Sequence, residues 1–228
     1  MKRQLTGTLV FVLSLLIVLP AAADVKFDAY FKDKTMRFDY YHTGTATEEH
    51  FAVDRMVMDG IWAGSKSQLI DELELGKYFF EIKDPATGNV LFSRGFSSIY
   101  GEWETTPEAK EQWGVFHESM RFPWPKQKVN LVLYKRNDKQ GLKQIWEYSV
   151  DPDYRKVNKA SLNNSYKVYD AHVSGDPHEK VDIVVLSEGY TAEEMDEFRK
   201  DVDKFKKALF STEPFASRKE DFNIRAVE

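Results

Sequence analysis

The sequence predicts a mainly β protein, an antiparallel sandwich of jelly-roll type followed by one β-α-β unit. Three observations predict it. From Lys26 to about Val150 the hydrophobic period is mostly two, in aromatic and β-branched runs. Gly, Pro, Asn and Asp punctuate these runs at short intervals, without an internal repeat. Beyond residue 180 the period changes, as an apolar strand meets one glycine and then a capped helix.

The first 23 residues stand apart. Lys2 and Arg3 precede the apolar run Leu9–Leu19, and Pro20 with Ala21, Ala22 and Ala23 forms an A-x-A cleavage pattern before Asp24. This reads as a signal peptide, the run being shorter than the ~20 residues a membrane span needs. The expected product is secreted, periplasmic or cell-surface, with no membrane span after cleavage. Cleavage takes two of the 32 Lys+Arg and none of the 37 Asp+Glu, so 30 face 37 and the net charge becomes −7. A mildly acidic surface of mixed sign argues against a nucleic-acid partner. The absence of cysteine excludes disulfides and thiolate chemistry.

Residues 24–160 read as the sandwich. "TMRFDYYH" (35–42) and "KYFFEIK" (77–83) are strands, and "DPATGN" turns the chain into "VLFSRGF" to make a hairpin. "KVNLVLYKR" (128–136) and "LKQIWEYSV" flank the turn "NDKQG". Two helical interruptions are expected. One lies near Gln68–Leu73 and the other near Thr106–Gln112, where Thr106-Pro107 resembles a cap with proline at the first helical position. Residues 161–180 are polar and rich in turn formers, and read as a linker.

Residues 181–228 read as β-α-β. Val181–Leu186 is almost continuously apolar, as a strand covered on both faces would be. Thr191 and Glu194 form a capping box, and Met195, Phe198, Val202, Phe205 and Leu209 make one apolar stripe. "FNIRAVE" supplies the second strand. A β-α-β unit needs further layers to cover its sheet, so the expectation is the start of an incomplete second domain.

Chemistry-bearing motifs are sparse. The zinc helix H-E-x-x-H is missing: His117-Glu118 lacks the second histidine, and His178-Glu179 reads H-E-x-x-D. Both pairs are expected to be exposed polar residues, and no metal or cofactor is expected on this chain. "LSEGYTAEEM" has one glycine where a dinucleotide loop needs three, and it is neither a P-loop nor a nucleophile elbow. Glu188, Gly189 and Tyr190 nevertheless occupy the carboxyl end of a predicted strand, where such folds place ligand groups. The plainer role for Glu188 is to accept hydrogen bonds from amides at the helix start. Trp62, Trp103 and Trp124 lie among glycines and prolines and are candidates for an aromatic partner-binding surface. Trp103, in a period-two run, is expected to be buried, and Trp124, on a proline-stiffened turn, to be exposed.

Several runs resemble a known family. "EGYTAEEMDEFRKD", "LFSTEPF" and "DFNIRAV" are similar to the start of the catalytic domain of IgA-peptidase-type zinc metallopeptidases. "RFDYYHTG", "WAGS", "LGKYFFEI", "SRGFSSIYGEWETTPEAK" and "FPWP" resemble the β-rich domain that precedes it. The resemblance implies a secreted hydrolase of protein or peptide substrates with a zincin-like fold. It also implies zinc held by an H-E-x-x-H helix in a part of the catalytic domain outside this sequence, and this chain inactive alone. No family catalytic or metal residue maps onto a position here. The rival reading is a non-catalytic module binding carbohydrate or protein, which would make glycans a second ligand class; a glycosidase has only the aromatic content in its favour.

Overall fold

The computed structural model describes residues 25–160 and 166–228. The signal-peptide segment 1–23 lies outside the described residues. One helical turn, α1 (Phe27–Tyr30), leads into β1 (Phe31–Gly44), which pairs antiparallel with β2 (Glu49–Met58). The chain crosses to β3 (Tyr78–Lys83) and β4 (Val90–Phe96), passes through a short helix α2 (Ile99–Trp103), and returns as β5 (Gly114–Pro125). β6 (Val129–Arg136) and β7 (Leu142–Val150) follow. Two sheets result, ordered β2-β1-β5 and β4-β3-β6-β7, with every pairing antiparallel.

The alternation seen in the sequence explains why the two sheets stack. Met36, Phe38, Tyr40 and His42 point inward from β1, while Arg37, Asp39, Tyr41 and Thr43 point the other way. Phe38 meets Trp146 and Tyr148 of the opposite sheet at ring distances of 5.7 and 5.4 Å, and Phe80 meets Phe122 at 6.3 Å. The result is a β-sandwich with an aromatic core.

The region expected to be helical at 68–73 is instead an irregular loop along β4, an edge strand. Leu69 is buried, and its carbonyl accepts from Ser93 N–H at 3.0 Å. The Asp71 carboxylate accepts from Gly95 N–H at 2.8 Å and from Leu73 N–H at 3.0 Å. The loop thus satisfies edge donors that would otherwise invite another strand. Near 106–112 only one 3₁₀ turn forms, Glu108–Lys110, and the Thr106 hydroxyl donates to the Trp103 carbonyl instead of capping it. The helix lies earlier, at α2, where the Ser98 side chain accepts from Gly101 N–H. "FPWP" is not a turn but the end of β5. Its prolines are tolerated because β5 is an edge strand and its register with β1 breaks between Lys32 and Thr35.

The remaining residues form a third sheet. β8 (Val168–His172) lies inside the stretch expected to be linker, and it pairs antiparallel with β10 (Phe222–Val227). β10 also pairs in parallel with β9 (Val181–Leu186), giving the order β8-β10-β9. The crossover is α3 (Met195–Leu209), entered through a 3₁₀ turn at Ala192–Glu194 with the Thr191/Glu194 capping box in place. Phe198 and Val202 pack on Ala226 beside Val185 and Tyr190. Phe205, placed on the same stripe, is 43% exposed. β9 is covered on one face only, with Val184 58% and Leu186 65% exposed, against the two-sided burial its composition predicts.

Candidate functional site

The three tryptophans expected to form a surface do not share one. Trp62 is buried, and its indole N–H donates to the Ser65 carbonyl at 3.1 Å. Trp124 is buried as well, contrary to the exposure its prolines suggested, because alternation along β5 turns it inward with Met120 and Phe122. Trp103 is half-buried on α2 and leans on Phe116 at a ring distance of 5.4 Å. Its neighbourhood is a helical turn, where period two does not apply.

Two open aromatic groups share the outer face of the β2-β1-β5 sheet. Trp113, 54% exposed, stacks on His50 at 5.6 Å and 22°, and His50 pairs with Glu48 at 2.7 Å. One pleat along, Tyr41 is 42% exposed beside His117, whose Nε2 lies 3.1 Å from Asp54. Val115 lies on this face as well, opposite Thr43. Sequence reasoning missed Trp113. Its position just before a strand whose odd residues face outward was the available signal.

Asp39, Asp54 and His117 on this face come close enough to suggest a metal site. Zinc is the metal implied by the sequence resemblance, and the donor set does not fit it. Arg37 Nε donates to Asp39 Oδ1 and Arg55 Nε to Asp39 Oδ2, each at 2.9 Å. Burial alone would raise the Asp39 pKa, but these guanidinium hydrogen bonds outweigh it and hold the carboxyl below its usual range. Asp59 is likewise held by Arg37 at 2.8 Å and Arg121 at 3.0 Å. Three arginines already balance Asp39, Asp54 and Asp59, and the Asp39 lone pairs point at nitrogen.

Inside the sandwich lies a second polar cluster. His42 is 1% exposed, with Nδ1 3.1 Å from Glu118 Oε2 and Nε2 3.0 Å from Glu49 Oε2. Tyr100 stacks on its ring at 3.8 Å. Glu118 therefore is not the exposed residue expected of the His117-Glu118 pair; its side chain is 9% exposed and accepts from the Tyr40 hydroxyl at 2.9 Å. A His–Glu pair can serve as a general base only with a free ring nitrogen and access to substrate. Here both nitrogens are engaged and the group is sealed.

In the third sheet, Gly189 turns the chain after β9 with φ of +90°, a conformation open to glycine. Tyr190 packs on Phe198 at 5.2 Å and donates to Asp201 at 3.0 Å. Glu188 is exposed and has no hydrogen-bond partner among the described residues. The helix-start donors expected to engage it are served by Thr191 and Glu194. His178 is not an exposed polar residue either, since its Nδ1–H donates to the Gly64 carbonyl at 3.0 Å and ties the third sheet to the sandwich.

No helix among the described residues is long and apolar enough to cross a membrane. No curated protein matches the chain. Family models match it in two pieces: residues 26–147 match the Peptidase M64 N-terminus, and residues 170–228 match IgA Peptidase M64. The first match spans more than half of the chain and runs from α1 into β7, and the second runs from within β8 through β10, so the chain belongs to the Peptidase M64 family.

Proposed function

We propose that this chain is the N-terminal portion of a secreted zinc metallopeptidase, with the sandwich as an accessory domain at 24–160 and a catalytic domain opening at 181. The whole protein would cleave peptide bonds with zinc-activated water. The observation carrying this reading is the uncovered face of the third sheet, where exposed apolar side chains flank the Asp170–Arg225–Asp182 ion pairs. Val168, Val184 and Leu186 are each more than half exposed on one side of β8-β10-β9, while α3 covers the other. A parallel pair of this kind is stable when both faces are covered, and the family expects a zincin-like domain to supply that cover. Glu188, at the carboxyl end of β9, would face the cleft of that domain, with Gly189 and Tyr190 shaping its loop.

The test compares two products: this chain, and the in-frame reading of the same gene beyond Glu228. Elemental analysis after dialysis should find no stoichiometric zinc on the first. It should find one zinc on the second, together with peptide hydrolysis that a chelator abolishes. A stop codon at that point, or a longer product with neither zinc nor hydrolysis, would end the peptidase reading.

A second reading gives the sandwich its own ligand, carbohydrate or protein. It is favoured by the open Trp113 and Tyr41 rings, which offer apolar faces for stacking, with the carboxylates of Glu48 and Asp54 nearby as hydrogen-bond acceptors. Binding to a glycan array that disappears in Trp113→Ala would support it.

A further inference from the structure

We propose that His42 is held as an imidazolium that fastens the segment 97–113 to the sandwich, and that loss of its proton as pH rises releases this segment. The donors and acceptors around the ring define its state. Glu49 Oε1 accepts from Lys135 at 2.8 Å, and Oε2 from the Tyr78 hydroxyl at 3.2 Å as well as facing His42. Glu118 Oε1 accepts from Tyr100 N–H at 3.2 Å, and Oε2 from the Tyr40 hydroxyl as well as facing His42. Every oxygen of both carboxyls is thus an acceptor, the role of the ionised form. Reversing either phenol would leave its own proton without an acceptor among the described residues. A neutral imidazole has one N–H and would turn a lone pair toward one of these anions. Only the doubly protonated ring satisfies both.

Charge balance leads to the same place. Glu49, Glu118 and Glu104 converge on the cluster, and Lys135, Lys77 and His42 answer them. Lys135 bonds Glu104 at 2.8 Å, and Lys77 is paired with the other Glu104 oxygen. Glu48 contributes only its carbonyl, accepting from the Tyr100 hydroxyl at 2.9 Å, while its carboxylate turns outward to His50. Losing the His42 proton leaves one uncompensated negative charge in the interior. Burial alone would lower the His42 pKa, but the hydrogen bonds and charges of Glu118 and Glu49 outweigh it, and the net displacement is upward. Burial beside carboxylates also pushes the Tyr40, Tyr78 and Tyr100 phenols upward, so they remain donors as His42 titrates.

The segment between β4 and β5 hangs on this cluster. Tyr100 on α2 stacks on the imidazole and donates its amide to Glu118; Glu104, just after α2, is held by Lys77 and Lys135. The backbone bond from Ala46 N–H to the Ala109 carbonyl, at 2.7 Å, is a fastening independent of His42. The sign follows from the raised pKa. The fastening is complete below the ordinary histidine range near 6.5 and is lost as pH rises through the folded value.

Two measurements on the full chain decide the matter. Imidazole ¹⁵N shifts at pH 7.5 should show both His42 nitrogens protonated; one unprotonated nitrogen overturns the proposal. Amide exchange at 99–104, corrected for intrinsic rate, should lose about tenfold in protection per pH unit above the His42 titration point, the slope of a one-proton linkage. Protection that stays flat there overturns the release. Glu118→Gln should move the onset to lower pH, and an unmoved onset counts against the mechanism. Should that variant not fold, the native measurements still decide.

Discussion

The sandwich and the third sheet are built from similar material and finished differently. In the sandwich, two sheets present their apolar faces to each other, and 21 buried residues form one continuous core. In the third sheet a single helix covers one face, Phe198 and Val202 of that helix are buried with Ile224 and Ala226 of β10, and the opposite face carries exposed Val168, Val184 and Leu186. The difference teaches that β content and strand composition do not set stability alone. An antiparallel sheet tolerates one solvated face, as the outer face of β2-β1-β5 does. A parallel pair such as β9–β10 is ordinarily covered on both faces, and here it is covered on one.

The largest expected effect comes from the sandwich core. Phe38 is fully buried and touches both Trp146 and Tyr148 across the interface. Phe38→Ala should cost about 3–5 kcal/mol in urea unfolding, the range for aromatic deletions in a packed interior. Phe205→Ala on α3, whose ring is 43% exposed, should cost less than about 1 kcal/mol. Equal losses would mean that α3 is packed as tightly as the sandwich, and the contrast would fail.

What the sequence made legible follows the same division. The strands at 77–83, 90–96, 128–136 and 142–150, the β-α-β unit and the Thr191 capping box were all readable, because local pattern and tertiary burial agree there. β2 and β8 were missed because neither alternates cleanly, and pairing with a long neighbour holds each in place. β9 shows the limit of composition: its apolar run predicts two-sided cover, and its surroundings here provide one side. The polar cluster around His42 was invisible, since its members come from residues 40, 42, 49, 78, 100, 118 and 135 and only the fold unites them. Trp124 misleads because proline ordinarily marks a turn, whereas β5 accommodates Pro123 and Pro125 at its edge.

Two glycines give a smaller effect that sharpens the comparison. A Cβ on Gly95, in β4, would lie 1.9 Å from the Leu75 carbonyl oxygen, so Gly95→Ala must move the backbone of the loop that shields the sheet edge. Its expected cost is about 1–3 kcal/mol. A methyl group on Gly189 would meet nothing within 4 Å, but the backbone there holds a φ of +90°. Gly189→Ala should therefore cost about 1–2 kcal/mol through backbone strain alone. The two should also differ in reach. Amide exchange should report loosening along β4 and residues 69–76 in the first variant and around 187–191 in the second. Loosening of the sandwich in Gly189→Ala would show that the two regions unfold as one unit.

The smallest stability effect should come from the outer face of the sandwich. Trp113 is more than half exposed, and its one close ring neighbour, His50, is itself on the surface. Solvent already covers most of the indole, so Trp113→Ala removes little buried area, and unfolding should shift by no more than about 0.5 kcal/mol. Trp62→Ala, which empties a buried site against Phe92, should cost about 3–5 kcal/mol by contrast. Acrylamide quenching separates the two indoles directly: Trp113→Phe should remove the most accessible fluorescence and Trp62→Phe almost none. An accessible Trp62 with a shielded Trp113 would invert the assignment of inner and outer faces. A stability loss at Trp113 as large as at Trp62 would mean that its ring holds the segment 97–113 in place, so that the outer face serves packing and not recognition.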